Sequence, residues 1–158
     1  MIVVKPCTVA EMASAPNLGE LCAEYAQESA IDGLGAHNVQ IEAYRQMEAA
    51  GMLYLIGAFD DDTLVGFLVL VVTSMPHFGS LAATVESFFV SSHARKGGTG
   101  LRLLRSAESL ACSLGVPAMF THAPVGSRLD TVLAHLGYAE ASRVFFKNLN
   151  RTGETHGD

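Results

Sequence analysis

The run Val85-Glu-Ser-Phe-Phe-Val-Ser-Ser-His-Ala-Arg-Lys-Gly-Gly-Thr-Gly-Leu101 concentrates residues able to do chemistry. It is apolar and β-like up to Val90, turn-like through Lys96, and then opens a helical pattern. Gly97, Gly98 and Gly100 stand where that helix must begin. A helix N-terminus presents unpaired N–H groups and a partial positive charge, and glycine lets an anion approach the backbone closely. Arg95 and Lys96 add full charges at the same place. The natural ligand of such a segment is a diphosphate. The same residues would also serve as a glycine-rich turn with solvated basic side chains.

Two common phosphate motifs are ruled out residue by residue. A P-loop needs Gly-Lys-Ser/Thr, but Gly100 is followed by Leu101 and Arg102. A dinucleotide fingerprint needs a third glycine where Leu103 stands. What remains is Arg-x-x-Gly-x-Gly, filled by Arg95, Gly98 and Gly100.

The elements around this segment follow from periodicity and caps. Ile2–Val4 reads as a strand, and Thr8 with Glu11 has capping-box spacing. Helical spacing runs from Asn17 to about Ser29. It resumes after Asn38, through Ile41, Tyr44 and Met47, and stops at Gly51. Leu53–Phe59 and Leu64–Thr73 form a hairpin around Asp60-Asp61-Asp62, a solvated turn. The second run is almost wholly apolar, which implies burial on both faces. Leu81–Val90 is a further strand. Gly100–Leu114 is an amphipathic helix with Leu101, Leu104, Ala107, Ala111 and Leu114 inward. Pro117–Thr121 is a short strand, and Ser127 caps a helix closed by Gly137. Tyr138 and Val144–Lys147 complete the sheet.

This order, from Met1 to Lys147, resembles that of the GNAT acetyltransferase superfamily, and the Arg95–Gly100 hexapeptide is similar to its acyl-CoA-binding motif. Leu136-Gly137-Tyr138 is similar to the Leu-Gly-Phe that ends the last family helix. The resemblance implies an α+β fold: a mixed, mostly antiparallel central sheet, helices on both faces, and a splayed strand pair for the cofactor. It implies one domain over residues 1–149, with a disordered polar tail at 150–158. The implied activity is transfer of acetyl from acetyl-CoA to a primary amine of a small molecule or peptide. Attack is direct, in a ternary complex, and without a metal.

On that resemblance Phe88, Phe89 and Val90 line the pantetheine arm, with a bulge at the doubled aromatic Phe88-Phe89. Arg95, Lys96, Gly97, Gly98, Thr99, Gly100 and Leu101 form the pyrophosphate cradle. Glu86 holds the family's general-base position, acting directly or through water, and its neighbours Val85, Phe88 and Phe89 suggest burial. The family tyrosine that protonates the leaving thiolate falls at Leu133 here, so the usual acid is missing. Tyr138 is the substitute put forward, with His122 and His135 as further options. His77, Tyr44 and Asp32 are candidate acceptor contacts, Tyr25 and Glu48 lie in the same helical pair, and His93 is a candidate phosphate contact.

Composition narrows the alternatives. Net charge is −6 and mean hydropathy +0.29, which disfavours a protein that wraps nucleic acid. Residues 1–94 hold 2 Lys/Arg against 11 Asp/Glu, and residues 95–158 hold 8 against 5. That split suits phosphates at the glycine loop and a cationic amine elsewhere. Cys7, Cys22 and Cys112 form no disulfide or zinc pattern. The longest apolar run, Leu64–Val72, is too short for a membrane span, and no secretory leader is evident. A cytoplasmic enzyme is expected, with a homodimer compatible with open strand edges. The rival readings are an acyl-CoA-binding sensor without turnover and a purely structural domain.

Overall fold

A computed structural model of the chain describes residues 1–32 and 34–149. The elements run β1 (Ile2–Cys7), α1 (Val9–Ala13), α2 (Leu18–Ser29), α3 (Ile41–Ala49), β2 (Leu53–Asp60), β3 (Thr63–Met75) and β4 (Ser80–Val90). They continue with α4 (Thr99–Ser113), β5 (Met119–Phe120) and α5 (Arg128–His135). The sheet order is β1-β2-β3-β4-β5, antiparallel except for the β4–β5 pair.

Alternation along β3 explains its apolar run. Leu64, Phe67 and Val69 pack with Val9, Met12 and Leu21 under α1 and α2. Val65, Leu68 and Leu70 pack with Leu103, Leu104 and Ala107 of α4. Successive side chains point to opposite faces, so a strand covered on both sides needs apolar residues at every step. Thr8 completes the expected capping box: its Oγ1 accepts from Glu11 N at 3.1 Å, and Thr8 N donates to the Glu11 carboxylate at 2.7 Å.

The β4–β5 ladder contains only Ala83↔Met119 and Thr84↔Phe120. Val85–Val90 therefore continues beyond the pairing with β5, and the expected splay is present. Alternate residues in that stretch turn their backbone groups away from β3, toward the side that β5 leaves unpaired.

Several expectations are corrected. The β4 bulge lies at Glu86, where Val69 pairs with Ser87 and Leu70 with Val85; it is not at Phe88-Phe89. Phe88 and Phe89 alternate normally, Phe88 toward the α4 core and Phe89 toward the α2 core. In α4 the fully buried leucines are Leu103 and Leu104, whereas Leu101 is half-buried. Gln40, not Asn38, precedes α3 as its N-cap residue. Asn17 does not cap α2 with its side chain. It instead donates to Leu64 O at 2.8 Å and accepts from Leu64 N at 3.0 Å, pinning α2 to the start of β3. Val144–Lys147 is not a strand: Val144, Phe145 and Phe146 are 76%, 89% and 53% exposed, because β-propensity forms no strand without a ladder partner. The tail at 150–158 lies outside the described residues.

Candidate acyl-transfer site

The segment between β4 and α4 is shaped by two left-handed glycines, Gly97 (φ +96°) and Gly98 (φ +77°). Gly98 is the N-cap of α4 and, having no side chain, caps nothing. The first α4 turn closes with Arg102 N donating to Gly98 O at 3.0 Å, so the amides of Thr99, Gly100 and Leu101 precede it at the positive end of the helix. A Cβ at Gly97 or Gly98 would meet nothing within 4 Å, so there is open space beside both glycines at the helix start. At Gly100 a Cβ would lie 3.4 Å from Phe88 Cζ, so this glycine faces the strand and lets α4 pack close to β4. An uncapped helix start under open space fits a pyrophosphate. Thr99 contributes only its amide, since its side chain is fully buried.

The basic residues divide their roles. Arg95 turns back from the cradle: its Nε donates to Val90 O at 2.8 Å, and its terminal nitrogen donates to both oxygens of Glu28 at 2.6 and 2.7 Å. Its guanidinium lies 5.5 Å from the Phe89 ring centroid. Glu24, one turn earlier on α2, accepts from Ser91 Oγ at 2.6 Å and from Ser92 N at 2.9 Å. These bonds hold its carboxyl below the usual range, the Ser91 hydroxyl contributing most. His93 Nδ1 sits 2.8 Å from the same Ser91 hydroxyl. Arg95 and His93 thus brace the loop, and Lys96 is the exposed cation beside the glycines.

Alternation from Val85 turns Glu86 toward α3, where the Tyr44 hydroxyl lies 3.3 and 3.4 Å from the two carboxylate oxygens, and the bulge brings Ser87 to the same side. Glu86 is exposed rather than buried among its apolar sequence neighbours, because Val85 and Phe88 face the other core. It borders a cavity of about 300 Å³ whose walls include Tyr25, His37, Val39, Tyr44 and Met47. Burial, reinforced by the Glu86 charge, pushes the Tyr44 phenol up to about 12. Tyr25 packs edge-on against His37 and Phe67, with ring centroids 5.2 and 5.5 Å apart.

Similarity to known proteins agrees with this geometry. The model of the acetyltransferase (GNAT) family matches residues 19–129. The chain belongs to the GNAT acetyltransferase family. Solved structures share its fold: a ribosomal-protein-alanine N-acetyltransferase from Brucella melitensis biovar Abortus 2308 is 19% identical, with a TM-score of 0.67 over 92% of this chain and 96% of that one. An aminoglycoside acetyltransferase from an uncultured soil metagenomic sample, solved with sisomicin, is 14% identical, with a TM-score of 0.72 over 94% and 97%. Glucosamine-6-phosphate N-acetyltransferase from Arabidopsis thaliana is 11% identical, with a TM-score of 0.71 over 95% and 99%. No curated protein matches the sequence.

The remaining candidates of this GNAT chain lie away from Glu86. Tyr138 packs against the α4 core and donates to Glu108 at 2.7 Å, while Glu86 faces α3 across the sheet. Burial and the Glu108 carboxylate hold the Tyr138 phenol well above its ordinary range. His77 sits at the β3–β4 connection, stacked on Phe78, at the opposite end of β4 from Val90. Asp32 is exposed and outside the cavity lining. Glu48 accepts from Val9 N at 2.9 Å and joins α3 to α1. His122 is exposed, and His135 Nδ1 lies 2.7 Å from the Thr131 carbonyl. Leu133, at the family tyrosine position, is buried in the core.

Sequence reasoning missed Glu24, Glu28, Ser87 and His37. The acidic pair had a signal: Glu20, Glu24 and Glu28 recur every fourth residue along α2, one stripe of a helix. Ser87 and His37 carried none. Among the described residues no cluster of His, Cys, Asp or Glu could hold a metal, and no helix is long and apolar enough to cross a membrane.

Proposed function

We propose that this chain transfers an acetyl group from acetyl-CoA to a primary amine of a small molecule or peptide by direct attack in a ternary complex. The observation that carries this reading is the placement of Glu86. Its carboxylate borders a cavity, on the strand that leads directly into the glycine cradle at the start of α4.

Each part has a physical task. The amides at the start of α4 hold the pyrophosphate, with Lys96 adding charge. The edge of β4 from Val85 to Val90 offers backbone groups to the pantetheine arm. Acetyl-CoA supplies the activated thioester carbonyl. Glu86 takes a proton from the arriving ammonium, directly or through one water, so that the amine can attack. Tyr44 restrains the Glu86 carboxylate by donating to it. With Leu133 at the family acid position, the leaving thiolate takes its proton from water or from the ammonium formed on attack.

Leu133 also favours a second reading, a module that binds acyl-CoA without turning it over. Thiol release with a panel of amines separates the two. Turnover that falls at least ~100-fold in Glu86→Gln supports the transferase. Acetyl-CoA binding by calorimetry with no turnover of any amine supports the binding module, and no binding at all overturns both.

A further inference from the structure

We propose that the acceptor is a monoamine, one ammonium group on a short apolar body, and not a polyamine, an aminoglycoside or a phosphosugar amine. This rests on the reading that the cavity beside Glu86 takes the acceptor. Glu86 is the single charged residue among the described residues lining that cavity, and no Lys or Arg lines it. Beneath it lies a second chamber of about 60 Å³ that shares Tyr25, Val39, Tyr44 and Ser87 with the first. The lower chamber continues among Met12, Leu18, Cys22 and Phe67 and is lined by no charged residue. An occupant placed with its nitrogen at Glu86 therefore has an apolar chamber adjoining it, with Tyr25 and Tyr44 lining both spaces.

The excess of acids over residues 1–94 does not reach this space. Glu24 is bonded to Ser91 and Ser92, Glu28 to Arg95, and Glu48 to the Val9 amide. A second ammonium carried into the cavity would find no second carboxylate to replace its hydration, since the other polar residues of the lining, His37, Asn38, Gln40 and Ser87, carry no negative charge. A phosphate would meet Glu86 and no Lys or Arg. A single ammonium gains Glu86, and an apolar body gains the adjoining chamber. Volume sets the scale, since 300 Å³ is at the low end of ligand pockets. Glu86 thus points to a cation, and the rest of the cavity lining limits that cation to one positive group.

The test is a kcat/KM comparison by thiol release for butylamine, phenethylamine, putrescine, spermidine, sisomicin and glucosamine-6-phosphate. The better monoamine is expected to exceed every polycation and the phosphosugar by at least ~10-fold. Preference for a polyamine, sisomicin or the phosphosugar overturns the inference while leaving acetyl transfer intact. Gln40 lines the same cavity. Gln40→Glu, by adding a second carboxylate, is expected to raise the putrescine-to-butylamine ratio by roughly 10-fold, and an unchanged ratio overturns the assignment. If no amine turns over, the transferase reading fails. Saturation-transfer NMR on the CoA complex then decides the inference separately. A phenethylamine signal that disappears in Tyr44→Ala supports it, and the absence of a signal from either monoamine overturns it.

Discussion

Arg95 and Glu28, 67 residues apart in sequence, meet in a two-oxygen ion pair at 2.6 and 2.7 Å. The pair clips α2, which carries Tyr25 into the cavity wall, to the loop that shapes the phosphate cradle. Glu24 makes a second clip one turn away through Ser91 and Ser92. Helix α2 and the β4–α4 loop are thereby held as one unit.

Breaking the Arg95–Glu28 clip should weaken cofactor binding without touching the cradle. Both side chains are partly exposed, so the pair contributes modestly. Glu28→Gln is expected to cost about 1 kcal/mol, roughly fivefold in acetyl-CoA affinity by calorimetry. Unchanged affinity would show that the clip does not position the loop.

Gly98 separates backbone strain from charge. Its φ of +77° costs any L-residue about 1–2 kcal/mol, yet a Cβ there meets nothing. Gly98→Ala should therefore reduce acetyl-CoA affinity mildly. Gly98→Asp should reduce it by at least ~10-fold more, because a carboxylate would face the pyrophosphate at the helix start. Equal losses in the two variants would move the phosphate elsewhere.

Close packing predicts the cost of filling Gly66. A Cβ there would lie 3.0 Å from the Phe89 carbonyl and 3.4 Å from Leu103 Cδ1. Gly66→Ala should destabilise the fold by about 1–3 kcal/mol, and Leu103→Ala by about 2–5 kcal/mol. Chemical unfolding followed by circular dichroism measures both. A neutral Gly66→Ala would contradict the tight contact between β3, β4 and α4.

Acid sensitivity should trace partly to Glu24. Its carboxyl is lowered from the ordinary 4.5, chiefly by the Ser91 hydroxyl and then by the Ser92 amide. A lowered folded value means the contribution is complete above pH 4.5 and is lost as pH falls through the folded value. Stability of the unaltered chain should thus fall more steeply below pH 4.5 than that of Glu24→Gln. Parallel pH profiles would remove Glu24 from this role.

Tyr138→Phe tests whether that tyrosine is an acid in the reaction. Its hydroxyl is bonded to Glu108 on the α4 face, so turnover should stay within about twofold while stability falls by about 1 kcal/mol. A large loss of kcat at unchanged stability would return Tyr138 to the chemistry.

The cradle was legible in the sequence because everything it needs is local. Three glycines within four residues, placed at the start of an amphipathic helix, specify left-handed turns and exposed amides without reference to any other element. The caps at Thr8 and Ser127 were legible for the same reason. The bulge was not, since it depends on how β4 registers against β3. Its position at Glu86 rather than Phe88-Phe89 puts Ser87 on the same side of the sheet as Glu86. The expected strand at Val144–Lys147 had the right residue types, but strand formation requires a partner that sequence alone does not supply.

By itself, then, the sequence determined a glycine-rich helix start flanked by basic residues, an apolar strand buried on two faces, and a carboxylate on the strand before the helix. Only the tertiary structure decided that Tyr44 meets Glu86, that Arg95 pairs with Glu28, and that Tyr138 lies across the sheet from Glu86. The first set depends on interactions spanning a turn or a strand repeat. The second depends on contacts such as Tyr44 with Glu86, 42 residues apart, which exist only once the sheet register and helix packing are set.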